Sequence, residues 1–517
     1  MSLLKNSIVV GLGTLTSRFL GLARDVMLAK VLGAGVMSDA FLMALKTPNL
    51  VRNLLSEGAL NVSVVPMLTR HMEGKTPTPA AEKFVNSVFS ILVVALLVAA
   101  TLGVMFMPAL ITLIAPGFTQ DPARFEAAVT IGRVMFPYVL FIILANYIGC
   151  VLNTMGKFAA MALMPALLNI SFLVFLSFSH NLTTPAYFIA WAVPVGGVLQ
   201  LGLMWWLIRR TGFKLEVKRP HHHPDMPVLV KRVGPATMTV GVQLLNGMVD
   251  SIFASLLAAG AVSYLFYAER FYLLPVALIG IAVSTALLPD LSRVLQKGDT
   301  KDTAKQFSGA LVACFALGLA AALGLFSLAE PIMHLVYARG AFTPADADQT
   351  AYTLMAYALG LPAVIATKIT LTAFFAHGDT KTPLRFAIYA LLANVVLNAI
   401  LMGPYKHVGL ALATSMGAWM IFILQIRSIQ KRELFPAWKL RDTMHQAVKA
   451  LGVGLVMLVV LALWQLLWPL PESRLVQVVW LGGAIALSAG VYLGGLQLLG
   501  LFDLKPLVQK VVARVKR

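Results

Sequence analysis

The sequence predicts an all-α integral membrane protein. Its expected plan is fourteen transmembrane helices: two parallel-repeat six-helix lobes around a central cationic cavity, plus two extra C-terminal helices. Three observations predict it. First, 59% of the 517 residues are hydrophobic and only 12% are charged, about half the charged share of a soluble domain, and mean hydropathy is +0.82. Second, apolar runs of about 20 residues recur along the whole length, each long enough to cross a bilayer. Third, a block near the N-terminus recurs in the second half. A soluble globular protein and a disordered chain are excluded. The runs are continuous rather than alternating, which argues against a porin-like barrel.

The apolar segments of the first half fall at 8–32, 36–68, 84–115, 129–154, 158–179, 185–208 and 233–258. Those of the second half fall at 262–289, 306–337, 349–376, 384–403, 408–430, 446–469 and 476–502. Lys5 precedes the first segment as in a signal peptide, but Arg18 and Arg24 follow with no small-residue cleavage site, so the segment is expected to stay as an uncleaved span. Pro48 can kink the second.

Orientation follows from the basic residues. With the N-terminus in the cytoplasm, the tails and cytoplasmic connections hold 28 Lys and Arg and the opposite loops hold four: Arg124, Arg339, Lys406 and Arg474. This positive-inside bias predicts cytoplasmic termini. It also accounts for most of the net charge of +19 without a nucleic-acid partner. The cytoplasmic stretch from Lys214 to Arg232 carries His221, His222 and His223 between Pro220 and Pro224. No carboxylate or cysteine pattern supports a metal tract there, and a solvated loop is the plainer reading. Cys150 and Cys314 lie in apolar runs without a CxxC, so neither a disulfide framework nor a zinc site is indicated.

Residues 25–41 (DVMLAKVLGAGVMSDAF) match residues 250–266 (DSIFASLLAAGAVSYLF) at seven positions, including Asp25/Asp250, Gly35/Gly260 and Ser38/Ser263. Ala59–Arg70 then matches Ala282–Arg293 with a two-residue slip. An offset of six spans keeps both copies in the same orientation, as in a parallel repeat about the membrane normal. The expected divisions are an N-lobe over 1–212, a basic cytoplasmic linker over 213–232, a C-lobe over 233–432, and the last two helices with a basic tail over 433–517.

Basic residues inside spans carry the functional signal. Arg18, Arg24, Lys30, Lys46, Arg52, Arg133, Arg270 and Lys368 all fall within apolar segments. Each costs about 2.5–3.5 kcal/mol at a helix centre on the insertion scale. Those near span ends can snorkel, whereas Arg18, Arg24, Arg52 and Arg270 need a polar cavity or each other. Ser17 and Arg24 share a helical face, as do Arg18 and Asp25. Asp39, Lys46, Asn49, Asn53 and Glu57 form one polar stripe along the second segment. The alternative is an internal salt-bridge network such as Arg24–Asp25 or Arg270–Glu269. Spans 1 and 2 hold five cations against three acids, while spans 7 and 8 hold Arg270 against Asp250 and Glu269. The first lobe therefore reads as built for an anion, and arginine's planar fork suits phosphate oxygens.

The block Ser17-Arg18-Phe19-Leu20-Gly21-Leu22-Ala23-Arg24-Asp25 leads an ordered set of motifs. Ser38-Asp39-Ala40-Phe41, Pro48-Asn49-Leu50-Val51-Arg52 and Glu57-Gly58-Ala59 follow it. The set closely resembles the MurJ (MviN) family, bacterial lipid II flippases of the multidrug/oligosaccharidyl-lipid/polysaccharide exporter superfamily. The resemblance implies two lobes opening alternately to either side. It implies a multi-pass protein of the bacterial inner membrane, carrying the undecaprenyl-pyrophosphate-linked peptidoglycan precursor to the periplasmic leaflet for cell-wall synthesis. Arg18, Arg24, Arg52 and Arg270 match the family's functional arginines. Asp39 and Glu57 match further polar positions, and Ser17, Asp25, Asn49, Ser263 and Glu269 are expected to support the cavity. The last two helices are expected to form a groove for the lipid tail, with Gly482, Gly483, Gly490 and Gly494 permitting close contact. Where some relatives carry Glu three residues after the span-8 arginine, this chain has Leu273. Asp250, Asn394, Asn398 and Thr414 resemble a sodium site of some family members, oxygen ligands suited to a hard cation. A hydrogen-bonded helix contact is the alternative for that set, and a proton the alternative ion. No other cofactor is expected, and the protein is expected to work as a monomer among membrane lipids.

A drug or polysaccharide-lipid exporter of the same superfamily is the rival transporter, though it would not need the arginines of span 1. A membrane enzyme acting on polyprenyl phosphates is the rival catalyst. It would need clustered carboxylates or a nucleophile with a base, and no DDxxD, HExxH or GxSxG occurs. His334, His377 and His407 lie near span ends with no partner evident in the sequence.

Overall fold

A computed structural model describes residues 3–55, 61–73, 76–179, 181–217, 224–296 and 299–501. Among the described residues the regular structure is helical apart from one two-residue antiparallel ladder, β1 (Met72–Glu73) with β2 (Thr76–Pro77), and an isolated bridge between Arg339 and Phe342. In lipid every backbone polar group must be satisfied internally, which leaves helices as the solution for continuous apolar runs. Among the described residues, ten helical stretches are long and apolar enough to cross a membrane. The apolar segments read from the sequence all fall on helices, several of them in two pieces.

The chain forms two compact units, the first comprising Met1–Ser263 with Arg339–Thr343 and the second Tyr264–Ala338 with Pro344–Arg517. The first contains α1 (Leu3–Leu32), α2 (Val36–Arg52), α3 (Asn61–Arg70), α4 (Pro79–Met105), α5 (Met107–Ile114), α6 (Pro122–Met135), α7 (Tyr138–Thr154), α8 (Ala159–Phe178), α9 (Pro185–Ala190), α10 (Ala192–Arg209) and α11 (Met226–Ser255). Helix α1 packs along α8, α2 along α6, and α10 against both α7 and α8. Phe41, Phe84, Phe118, Tyr147 and Phe172 fill the core. Local sequence sets the helix starts: Thr78 caps α4 ahead of Pro79, and Asp121 caps α6 ahead of Pro122. Gly33, at φ +65, turns the chain between α1 and α2, and a Cβ there would lie 2.5 Å from the Ala341 carbonyl oxygen. The short segment 339–343 is seated on this corner, with the Ala341 N–H donating to the Lys30 carbonyl at 2.8 Å.

The second unit contains most of α12 (Ala261–Pro275), then α13 (Ala282–Gln296), α14 (Thr300–Tyr337), α15 (Pro344–Ala358), α16 (Leu361–Ala376), α17 (Lys381–Lys431), α18 (Leu440–Leu467) and α19 (Arg474–Leu498). Helix α14 is its spine, packing on α15, α16 and α18, while α19 closes against α18 and α14. Tyr337, Phe307, Phe374 and Tyr492 are buried in this core. A straight helix as long as α17 would measure roughly 75 Å, more than twice the bilayer core. Lys406, at φ 50 and ψ −130, breaks it into two arms.

The two matched sequence blocks resemble each other in local structure. Helices α2 and α12 begin at Val36 and Ala261, the offset of the sequence repeat. Each runs into a π-helical turn, residues 53–55 in one copy and Val276–Ile281 in the other. In each copy the next described helix, α3 or α13, has an internal proline, Pro66 or Pro289. Within the 36–68 span expected from the sequence, the described residues form α2 and α3, and residues 56–60 lie outside the described set. Pro48 lies inside α2, which continues through it to Arg52. Helix α11, which the duplication counts with the second lobe, packs with the first unit.

Candidate functional site

Arg24 sits on α1 with its guanidinium held from two sides. Its Nε and Nη2 donate to Asp25 Oδ1 at 3.0 and 2.7 Å, and its Nη1 donates to Asn169 Oδ1 on α8 at 3.0 Å. The Asn169 amide nitrogen donates to the Ser17 carbonyl at 3.0 Å, which ties its orientation to α1. The Phe172 ring centroid lies 5.3 Å from the guanidinium carbon. The Arg24 side chain keeps 16% of its accessible surface and Asp25 4%. The Arg24–Asp25 pair that the salt-bridge alternative named is therefore present. Three of five guanidinium N–H groups make these bonds, and the remaining two are the ones that can address an anion. Arg18, two turns earlier, is exposed, and Ser17 is half-buried. Asn169 and Phe172 carry no motif in the sequence, where the one signal is an asparagine in the middle of an apolar span.

Asp39 occupies a different environment. It is fully buried in the first turn of α2 and pairs with Arg124 Nη2 at 2.9 Å. Backbone N–H groups of Gly260 and Ser263 donate to it at 2.8 and 2.9 Å, and the Ser263 hydroxyl donates at 2.6 Å while lying 2.9 Å from the Ser38 hydroxyl. Gly260 immediately precedes α12 and Ser263 lies in its first turn, whose leading N–H groups have no intrahelical acceptor. Asp39 therefore caps a helix more than two hundred residues away in sequence, and Ser38 and Ser263, matched in the repeat, meet face to face. Arg124 also donates to the Leu257 carbonyl at 3.0 Å and stacks on Phe118 at 4.2 Å. The sequence counts Arg124 among the four cations of the opposite loops, and the structure adds that the arginine is only 4% exposed in the first turn of α6, because its partner is a buried carboxylate.

Farther along α2, Lys46 donates to the Ser251 hydroxyl at 2.7 Å, Asn49 donates to the Leu45 carbonyl at 2.9 Å, and Arg52 donates to Asn53 at 2.8 and 3.1 Å. Glu57 lies outside the described residues, as do His221–His223 and the tail beyond residue 501. In the second unit Arg270 is half-buried with its guanidinium 4.2 Å from the Phe266 ring centre, and Glu269 and Leu273 are exposed. Asp250 is half-buried on α11 in the first unit. Asn394 and Asn398 are buried on α17, where the Asn398 amide donates to Asn394 at 3.0 Å, and the Thr414 hydroxyl donates to the Leu410 carbonyl at 3.1 Å.

The C-terminal helices hold a correction. Gly482, Gly490 and Gly494 face open space, so they are not the close-contact residues. A Cβ on Gly495 would come within 2.5 Å of Val453 on α18, and one on Gly483 within 3.1 Å of Trp464. Helix phase, rather than glycine content, selects these two. An apolar cavity of about 440 Å³ opens beside α18, lined by Leu311, Phe315, Trp419, Phe422, Met444 and Leu451.

Comparison with known proteins agrees with the resemblance. The sequence profile of the lipid II flippase MurJ family matches residues 28–477. The chain is 34% identical over 521 residues to the probable lipid II flippase MurJ of Vibrio cholerae, covering 97% of this chain and 98% of that one. It is 33% identical over 472 residues to the lipid II flippase MurJ of Burkholderia cenocepacia, covering 88% and 89%. Among solved structures, a lipid II flippase MurJ in an inward closed conformation superposes with a TM-score of 0.77 at 27% identity, over 94% of this chain and 98% of that one. An inward-facing multidrug transporter of the MATE family shares the fold, with a TM-score of 0.66 at 14% identity over 80% and 94%. With the family profile spanning most of its length and relatives matched nearly end to end, the chain belongs to the MurJ family of lipid II flippases.

Proposed function

We propose that this multi-pass membrane protein is a transporter that moves lipid II, the undecaprenyl-pyrophosphate-linked peptidoglycan precursor, from the cytoplasmic to the periplasmic leaflet. The reading includes fourteen crossings, cytoplasmic termini and two duplicated six-helix lobes that open alternately. The observation that carries it is Arg24. An arginine deep in an apolar helix is expensive, yet here Asp25 and Asn169 hold it rigidly with two N–H groups to spare. A fixed fork of that kind suits a pyrophosphate. Arg18, Arg52 and Arg270 are read as its partners in binding, and the apolar cavity beside α18 as space for part of the lipid tail.

Purified protein in vesicles should translocate lipid II. Arg24→Ala and Arg24→Lys should both lose most of that transport at normal expression, because an ammonium cannot reproduce the fork. Movement of a drug or another sugar lipid, with lipid II left in place, would favour the exporter reading instead. Orientation is tested at exposed sites: Gln120→Cys should react with an impermeant thiol reagent from outside, and Glu216→Cys should not. Sodium coupling is read onto Asp250. Sodium should raise the thermal stability of the wild type saturably over a matched potassium control, and Asp250→Asn should abolish the shift. If pH rather than sodium moves the stability, the ion is a proton.

A further inference from the structure

Glu330, His334 and Asp348 gather outside the site described above. Glu330 and His334 lie four residues apart near the end of α14 and so share a face. Asp348 projects from the early turns of α15. Their ligand atoms all lie within 4.8 Å of one another, and His334 Nε2 is 2.6 Å from Asp348 Oδ1. His334 and Asp348 side chains keep 28% and 39% of their accessible surface, so solvent reaches the cluster.

We propose that these three residues form a binding site for a divalent transition-metal ion of the zinc type. The donor set decides the class of ion. One imidazole nitrogen with two carboxylate oxygens suits zinc and its first-row neighbours, whereas calcium and magnesium prefer oxygen alone. Donors about 2.0–2.2 Å from a tetrahedral zinc stand roughly 3.3 Å apart. His334 and Asp348, 2.6 Å apart, would therefore open by about 0.7 Å as the ion replaces the proton between them, and the imidazole would carry its proton on Nδ1. Glu330 is exposed and can swing in as the third ligand. Three protein ligands leave a fourth position for water. Bound metal would add a cross-link to the packed hairpin of α14 and α15, close to its connecting segment 338–343.

The test uses untagged full-length protein carrying His221→Ala, His222→Ala and His223→Ala, so that the histidine run cannot supply the signal. After chelator treatment, zinc titrated by calorimetry in detergent should bind once per chain. It should also raise the unfolding temperature saturably, and magnesium should do neither. Cobalt in place of zinc should give the intense visible absorption of a tetrahedral site. His334→Gln keeps a hydrogen-bonding side chain and should lower zinc affinity by at least about tenfold, as even indirect partners of metal ligands do. Glu330→Gln, at an exposed position, should do the same without disturbing the fold, and covers the case in which His334→Gln expresses poorly. Absence of saturable zinc binding, or binding unchanged in Glu330→Gln and His334→Gln, overturns the proposal and leaves the cluster as a His–Asp ion pair.

Discussion

The two copies of the repeat solve one packing problem with different chemistry. In the first copy, the opening turn of α2 meets the opening turn of α6 through an ion pair, Asp39 with Arg124 at 2.9 Å. In the second, the opening turn of α12 meets that of α15 through a neutral donor, the Tyr264 hydroxyl on Asp346 at 2.8 Å. Tyr264 stands where the repeat aligns Asp39. The first pair is buried and carries two charges, and the second is half-exposed and carries one. The two matched blocks thus share their helix starts and the contact between them, while their charges differ. The architecture needs a polar clasp at this corner, but it does not dictate which.

The comparison can be broken most sharply in the first copy. Arg124→Ala leaves Asp39 buried without its cation and should cost about 3–5 kcal/mol, read as a large drop in unfolding temperature in detergent. Replacing both partners by apolar residues, Asp39→Leu with Arg124→Met, should recover part of that loss. Recovery should fall short, because Gly260 and Ser263 would still lack an acceptor at the start of α12. Full recovery would mean that Asp39 is only an ion-pair partner and not a cap. In the second copy Tyr264→Phe should cost less, about 1.5–3 kcal/mol, as expected for one hydrogen bond to a charged group. Equal losses in the two copies would erase the distinction. The smallest effect is expected at the turn between α16 and α17. There, hydrogen bonds from Thr382, with Arg432 beside them, hold the Asp379 carboxyl below its ordinary range. A lowered carboxyl contributes stability above its unfolded value, near 3.9, that fades as pH falls toward the folded one. Asp379→Asn should therefore change stability by under about 1 kcal/mol at neutral pH, given the exposure of the Arg432 pair. It should also flatten the residual acid dependence below about pH 4.

Apolar runs made the helices legible, because a lipid-facing segment has few ways to satisfy its backbone. The arginines of span 1 were legible for the same reason, since their cost marks them. What stayed hidden depends on distant pairing. Arg124 follows a proline in a short polar stretch, and nothing local says that Asp39 waits 85 residues earlier. Asn169 is one polar letter in an apolar run, and its role appears only when α8 lies along α1. Of the four glycines that the sequence offers for close contact on α19, Gly483 makes one and the other three do not, because glycine content alone does not give helix phase. His334 had no sequence partner because Asp348 approaches across a turn.

Segment 339–343 has a consequence for how the protein is made. It packs with the first unit, although the helices on both sides of it belong to the second. A ribosome that has delivered residue 263 has therefore not delivered all of the first unit. The corner at Gly33 is covered only after Ala341 has been synthesised, some three hundred residues behind its partner Lys30. Until then the turn between the first two helices lacks its cover. Assembly of the N-terminal unit is finished by a piece of chain that arrives late.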